Sequence, residues 1–273
     1  MSLRFGPEGL AQGRLAARFA DLREKGRGGL VTYVTAGDPD RETSARILVS
    51  IARAGADVLE VGVPFSDPLA DGPVIQRASE RALASGMTLR RVLDLVETVR
   101  VQVETPIVLF TYANPVVRMD AAAFAQRAKQ AGVDGVLILD YPVEEAEPLR
   151  TPLVAAGLDP IFLISPTTSD ERIRRSSDLG RGFLYVISRL GVTGARDEMS
   201  RDAGDLLDRV RSHSALPIAV GFGISRPEHV AEACRHADAA VVGSALVNVI
   251  AEHQGDGVAE RAAEYVQWLK SGL

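Results

Sequence analysis

Glu60 interrupts the apolar run DVLEVGV (57–63), and Asp71 follows eleven residues later in PFSDPLADGP, a loop with prolines at 64, 68 and 73. A carboxylate inside an apolar strand is costly unless it is paired, neutralised or at an open end. Alternation along the run puts Val58, Glu60 and Gly62 on one face and Leu59, Val61 and Val63 on the other. Burial on the first face raises the pKa of Glu60 toward neutrality, the property a general acid or base requires. The alternative is a structural glutamate satisfied by backbone N–H groups or an arginine. Asp71 sits where prolines stiffen the chain, so its side chain can be held in one place. Taken alone, it reads first as an N-cap for the helical stretch PVIQRASERALASG. Asp67, before Pro68, reads alone as a turn residue.

Eight short apolar runs must position these groups: residues 30–35, 57–63, 106–112, 135–140, 160–165, 182–188, 217–222 and 239–244. Helical patterns lie between them, as in RETSARILVSIARAGA, where Ile47, Leu48, Ile51 and Ala52 recur at helical spacing. Several runs are almost continuous in Val, Ile and Leu, as expected of parallel strands covered on both faces. Eight strands, each followed by a helix, give a single (β/α)8 TIM barrel over 1–273, with an extra N-terminal helix around 9–25. An open doubly wound sheet is the competing arrangement, but the first turn, TAGDPD, lacks its glycine fingerprint. In a barrel the site lies at the C-terminal ends of the strands.

Three glycine-bearing turns follow the last three runs: SRLGVTGARDE, GFGIS and VVGSALV. Loops after the seventh and eighth strands of this fold commonly bind phosphate through free backbone N–H groups and a helix N-terminus. Gly194, Gly223, Gly243 and Ser244 are the natural donors; each glycine alone reads first as turn relief, but three together after these strands favour phosphate binding. Gly191 and Gly194 bracket Val192 and Thr193 in a segment suited to a lid over substrate.

The 273 residues are 46% apolar and 25% charged, ordinary for a soluble globular chain. A net charge of −5 disfavours a nucleic-acid surface. The single cysteine, Cys234, excludes an intrachain disulfide and a cysteine-based zinc site, and reads as a buried structural thiol. No long apolar stretch marks a signal peptide or a membrane span, which points to the cytoplasm. His213, His229, His236 and His253 fall outside the expected mouth and read as helix or loop residues. Trp268, in the final amphipathic stretch, reads as packing against the barrel.

The segment LEVGVPFSDPLADGPVIQRASERAL closely resembles the signature of the tryptophan synthase alpha subunit family. The likeness continues in order through VTAGDPD, FTYANPV, SRLGVTGAR, VGFGIS and VVGSALV, across almost the whole chain. The resemblance implies a barrel that cleaves indole-3-glycerol phosphate to indole and glyceraldehyde 3-phosphate by a retro-aldol step. It implies no cofactor in this chain, and a pyridoxal-phosphate-dependent beta subunit as partner in an alpha2beta2 complex that takes up the indole. By position, Glu60 matches the family's general acid/base and Asp71 its second catalytic carboxylate. Tyr185 matches the tyrosine near the reacting side chain, and Tyr33 and Phe110 match residues flanking the indole. Thr193, Gly194, Gly223, Gly243 and Ser244 fall on substrate-binding positions, mainly those of the phosphate. Pro64 and Asp67 fall on the segment that meets the beta subunit. Leu190 and Tyr141 depart from the pattern, the first in the lid and the second after Asp140. Competing readings are another phosphate-sugar barrel, a non-catalytic activator of a beta subunit, and a free-standing lyase that releases indole.

Overall fold

The computed structural model describes residues 13–187, 201–221, 223–253, 255 and 257–273. Eight parallel strands close into a barrel in chain order. They are β1 (Gly29–Thr35), β2 (Val58–Gly62), β3 (Ile107–Thr111), β4 (Gly135–Ile138), β5 (Asp159–Ile164), β6 (Leu184–Ile187), β7 (Ile218–Gly221) and β8 (Ala239–Val242). Each strand coincides with one apolar run, but most are shorter at their C-terminal ends. There the chain turns outward to form the loops of the mouth.

The connections are more elaborate than one helix per strand. Among the described residues they hold α1 (Arg14–Glu24), α2 (Arg41–Arg53), α3 (Pro73–Ala84), α4 (Leu89–Arg100), α5 (Ala113–Met119), α6 (Ala121–Ala131) and α7 (Glu147–Ala155). Then follow α8 (Asp170–Leu179), α9 (Arg201–His213), α10 (Pro227–His236), α11 (Ser244–Glu252) and α12 (Val258–Lys270). Two helices follow each of β2, β3 and β8. The break between α5 and α6 falls at Asp120, whose φ of 72° ends one helix while its side chain accepts from the Ala122 and Ala123 amides to start the next.

Alternation along the strands divides the core as the sequence implies. Leu59 and Val61 face the helices with Ile47, Leu93 and Leu109. Val58 faces the barrel interior with Val31, Val108, Leu137 and Ile161. Leu15, Phe19 and Leu22 of α1 join this interior group, and the Phe19 and Phe183 rings lie 5.5 Å apart. The N-terminal helix therefore closes the lower end of the barrel.

That lower end is also tied by carboxylates. Asp57, Asp134 and Asp238, each just before an even-numbered strand, accept the backbone N–H of Leu30, Ile107 and Ile218 on the preceding odd strand. Arg27, Arg100 and Arg211 pair with them at 2.8, 2.8 and 2.7 Å. Charge-assisted bonds of this kind fix strand starts, leaving the opposite ends free to carry chemistry. No helix of the described residues is long and apolar enough to cross a membrane.

Candidate active site at the barrel mouth

Glu60 points into the barrel from β2, in register with Tyr33 of β1 and Val108 of β3. Its side chain is 1% exposed, and neither carboxylate oxygen has a hydrogen-bond partner among the described residues. Among the described residues no amide or arginine satisfies it, as the structural alternative would require. Burial alone pushes the carboxyl up to about 8. Glu60 is therefore mainly protonated at neutral pH, a reservoir for one proton.

Aromatic rings surround it. Tyr33 meets Phe110 edge-on at 5.5 Å, and Phe110 lies 6.2 Å from Tyr185. Burial raises both phenols, and the Glu60 carboxyl adds to the rise in each. Gly62 makes room for this cluster, since a Cβ there would lie 2.1 Å from the Tyr33 hydroxyl. Val74 and Ile75, in the first turn of α3, pack over Tyr33 and Phe110. They complete an apolar wall that the sequence reading missed, although they lie within the stretch PVIQ that it had marked as helical.

Asp71 is not a helix cap: the N-cap of α3 is Gly72, with no side-chain bond. Its carboxylate instead accepts from the Tyr112 hydroxyl at 2.9 Å, and the same hydroxyl accepts the Ala70 amide at 3.1 Å. Phe65 stacks on the Tyr112 ring at 4.8 Å. Gln76 donates to the Asp71 carbonyl at 2.9 Å. Burial raises the Asp71 pKa, while the Tyr112 bond opposes the rise. Tyr112 has no assigned role in the sequence reading; its signals are its place at the end of the third apolar run and within FTYANPV. Burial first, and then the Asp71 and Glu60 carboxyls, raise the Tyr33 phenol, so Tyr33 stands near both acids.

Gly223 and Gly243 lie two residues beyond Gly221 and Val241, which are partners across β7 and β8. The two glycines thus stand at neighbouring strand ends. Gly223 has φ +73°, a conformation natural to glycine. Gly243 is the N-cap of α11, and a Cβ on it would lie 3.8 Å from that of Tyr33. Ser244 begins α11, so the helix N-terminus faces the mouth. Thr193 and Gly194, with Leu190 and the rest of the expected lid, lie outside the described residues.

Pro64 and Asp67 line a cleft of about 660 Å3 beside the loop after β2, with Phe65, Asn114 and Arg118 among its walls. Leu69 is 93% exposed and Val117 60% exposed nearby. Tyr141 lies away from both carboxylates, in the wall of a separate hollow with Val143 and Phe162. Cys234 is part-buried, and its thiol donates to Gly29 O at 3.7 Å. Trp268, on α12, is half-exposed and packs on Tyr265 at 5.7 Å. His213 pairs with Asp170, His236 with Glu232, and His253 bonds Val249 O, all outside the mouth. His229 differs in supporting the turn after β7, where its Nδ1 accepts the Ser225 amide at 3.3 Å. Among the described residues no cluster of His, Cys, Asp or Glu is arranged to hold a metal.

A closed barrel of eight parallel strands, with helices between them, places the chain among the (β/α)8 barrels. The family model for the tryptophan synthase alpha chain matches residues 19–272. The chain is 46% identical over 260 residues to the tryptophan synthase alpha chain of Geotalea uraniireducens, covering 95% of this chain and 97% of that one. It is 50% identical over 244 residues to that of Phenylobacterium zucineum, covering 89% and 88%. The structure of tryptophan synthase subunit alpha from Legionella pneumophila superposes with a TM-score of 0.89 at 36% identity, over 96% of this chain and 98% of that one. The chain belongs to the tryptophan synthase alpha chain family. Its activity is the family's carbon–carbon lyase reaction in tryptophan biosynthesis, and membership implies a beta-chain partner.

Proposed function

We propose that Glu60 and Asp71 divide the proton work of cleaving indole-3-glycerol phosphate. The observation that carries this reading is Glu60, buried at the mouth without a hydrogen-bond partner among the described residues and pushed up to about 8 by burial. Indole is a poor leaving carbanion, so C3 must be protonated before the bond to the glyceryl chain breaks. Neutral Glu60 delivers that proton, and its carboxylate then takes the proton of the glyceryl hydroxyl as the bond cleaves. One proton has moved from oxygen to C3, and Glu60 ends as it began. Asp71 accepts a hydrogen bond from the indole N–H, whose positive charge rises after C3 protonation; charge-assisted bonds strengthen as that charge develops.

Tyr33, Phe110 and Tyr185 flank the indole in this reading. Gly223, Gly243 and Ser244, with Thr193 and Gly194, hold the phosphate. The cleft beside Pro64 and Asp67 faces the beta subunit, which carries pyridoxal phosphate in an alpha2beta2 complex and receives the indole; this chain carries no cofactor. The whole chain acts as one barrel domain in the cytoplasm.

The test is indole release from indole-3-glycerol phosphate, with and without a matched beta chain, by wild type and Asp71→Asn. Asparagine keeps the shape but not the charge, so the reading expects severe loss in both conditions. Near-normal release by Asp71→Asn contradicts the role given to Asp71.

A further inference from the structure

Tyr265 lies on the last helix, α12, yet its hydroxyl donates to the Ser225 carbonyl at 2.8 Å. Ser225 belongs to the turn between β7 and α10, two residues after Gly223. From the other side, its amide donates to His229 Nδ1 at 3.3 Å. The Ser225 residue is thus held by α12 at its carbonyl and by α10 at its amide. Gly272, just past α12, presses so closely on the start of α10 that a Cβ there would lie 2.1 Å from Pro227 O. The last helix and the residue past it therefore seat on this turn and on the start of α10. Burial pushes the Tyr265 phenol up to about 12, so it remains a neutral donor through the working pH range.

A turn that offers backbone amides to an anion is effective only if it is aimed before the anion arrives, because ordering it on binding costs affinity. Gly223, at φ +73°, makes the turn geometrically suited to close approach but adds backbone freedom. The two bonds at Ser225 remove that freedom from the residues that follow.

We propose that Tyr265 is a positioning residue for the substrate phosphate, acting through Ser225 on the turn that contains Gly223. This rests on the assignment of Gly223 and Gly243 to phosphate binding. Tyr265 touches no substrate, and its contribution is to affinity for the phosphorylated part of the ligand alone.

Tyr265→Phe deletes one oxygen and retains the ring beside Trp268. Dissociation constants for glycerol 3-phosphate and for indole are measured with steady-state cleavage of indole-3-glycerol phosphate. Glycerol 3-phosphate affinity falls by about 3–10-fold, the size of one net hydrogen bond, and KM rises by the same factor. The kcat stays within about twofold and indole affinity is unchanged, as expected for uniform binding of a remote group. Val266→Ala, on a fully buried neighbour in the same helix, lowers Tm without changing glycerol 3-phosphate affinity. Unchanged glycerol 3-phosphate affinity in Tyr265→Phe overturns the proposal, and so does an equal loss for both ligands. Gly243→Asp places a carboxylate at the assigned phosphate position. If it binds glycerol 3-phosphate like wild type, the phosphate assignment itself fails; if it alone loses binding, only the role of Tyr265 fails.

Discussion

Replacing Glu60 by glutamine removes a titrating group from the barrel interior while nearly keeping its shape. Burial raises this carboxyl from about 4.5 in the open chain to about 8 in the fold. Below about pH 4.5 both states carry it neutral, and it costs nothing by titration. As the pH rises the unfolded chain ionises first, so folded stability falls until Glu60 itself ionises near pH 8. The resulting penalty in wild type is about 1 kcal/mol at pH 5, about 3 kcal/mol at pH 7 and about 5 kcal/mol above pH 9. Glutamine has its own cost as an unpartnered buried amide, but that cost does not titrate. The stability of Glu60→Gln relative to wild type must therefore rise by about 2 kcal/mol between pH 5 and pH 7. Urea unfolding of both proteins at a series of pH values, with matched m-values, reads this directly. A difference that stays flat with pH refutes the claim that Glu60 is buried without a partner. A difference that falls means the carboxylate is the stabilised form.

Gly62→Ala brings a methyl within 2.1 Å of the Tyr33 hydroxyl inside a closed interior; it costs about 1–3 kcal/mol in unfolding and lowers cleavage activity by displacing Tyr33. Tyr112→Phe removes the bond that holds the Asp71 carboxylate; kcat falls while stability changes by about 1 kcal/mol, and an unchanged kcat sinks the positioning role. Asp159 lies at the lower end of the barrel with its pKa raised to about 6, by burial first and then by Asp134. Its penalty grows as the pH rises from about 4 to 6 and is constant above, so Asp159→Asn stabilises the fold by roughly 1–3 kcal/mol at pH 8 and by little at pH 4 in thermal or urea unfolding.

The parts of the molecule written in the sequence are those set by local periodicity. The eight strands followed from apolar runs, and the inward direction of Glu60 followed from alternation with Leu59 and Val61. Strand ends were less legible, because the chain leaves the barrel where hydrogen bonding stops rather than where hydrophobicity does. The split of α5 from α6 rests on one non-glycine residue, Asp120, at positive φ, which no periodicity announces. Asp71 shows the limit at the site. Its neighbours Gly72 and Pro73 suggest a helix cap, whereas its partner, Tyr112, is 41 residues away and is brought close only by barrel closure. The same holds for Tyr265 and Ser225, 40 residues apart. Motif resemblance supplied the reaction, which alternation and spacing alone leave open between several phosphate-sugar barrels.

As proposed, neutral Glu60, without a partner among the described residues, supplies the proton that makes indole a leaving group. Indole release from indole-3-glycerol phosphate by Glu60→Gln, beside wild type at pH 7 and with its fold verified by circular dichroism, tests it most directly. A loss of about 10²–10⁴-fold in kcat is expected. A folded Glu60→Gln protein with wild-type turnover contradicts it.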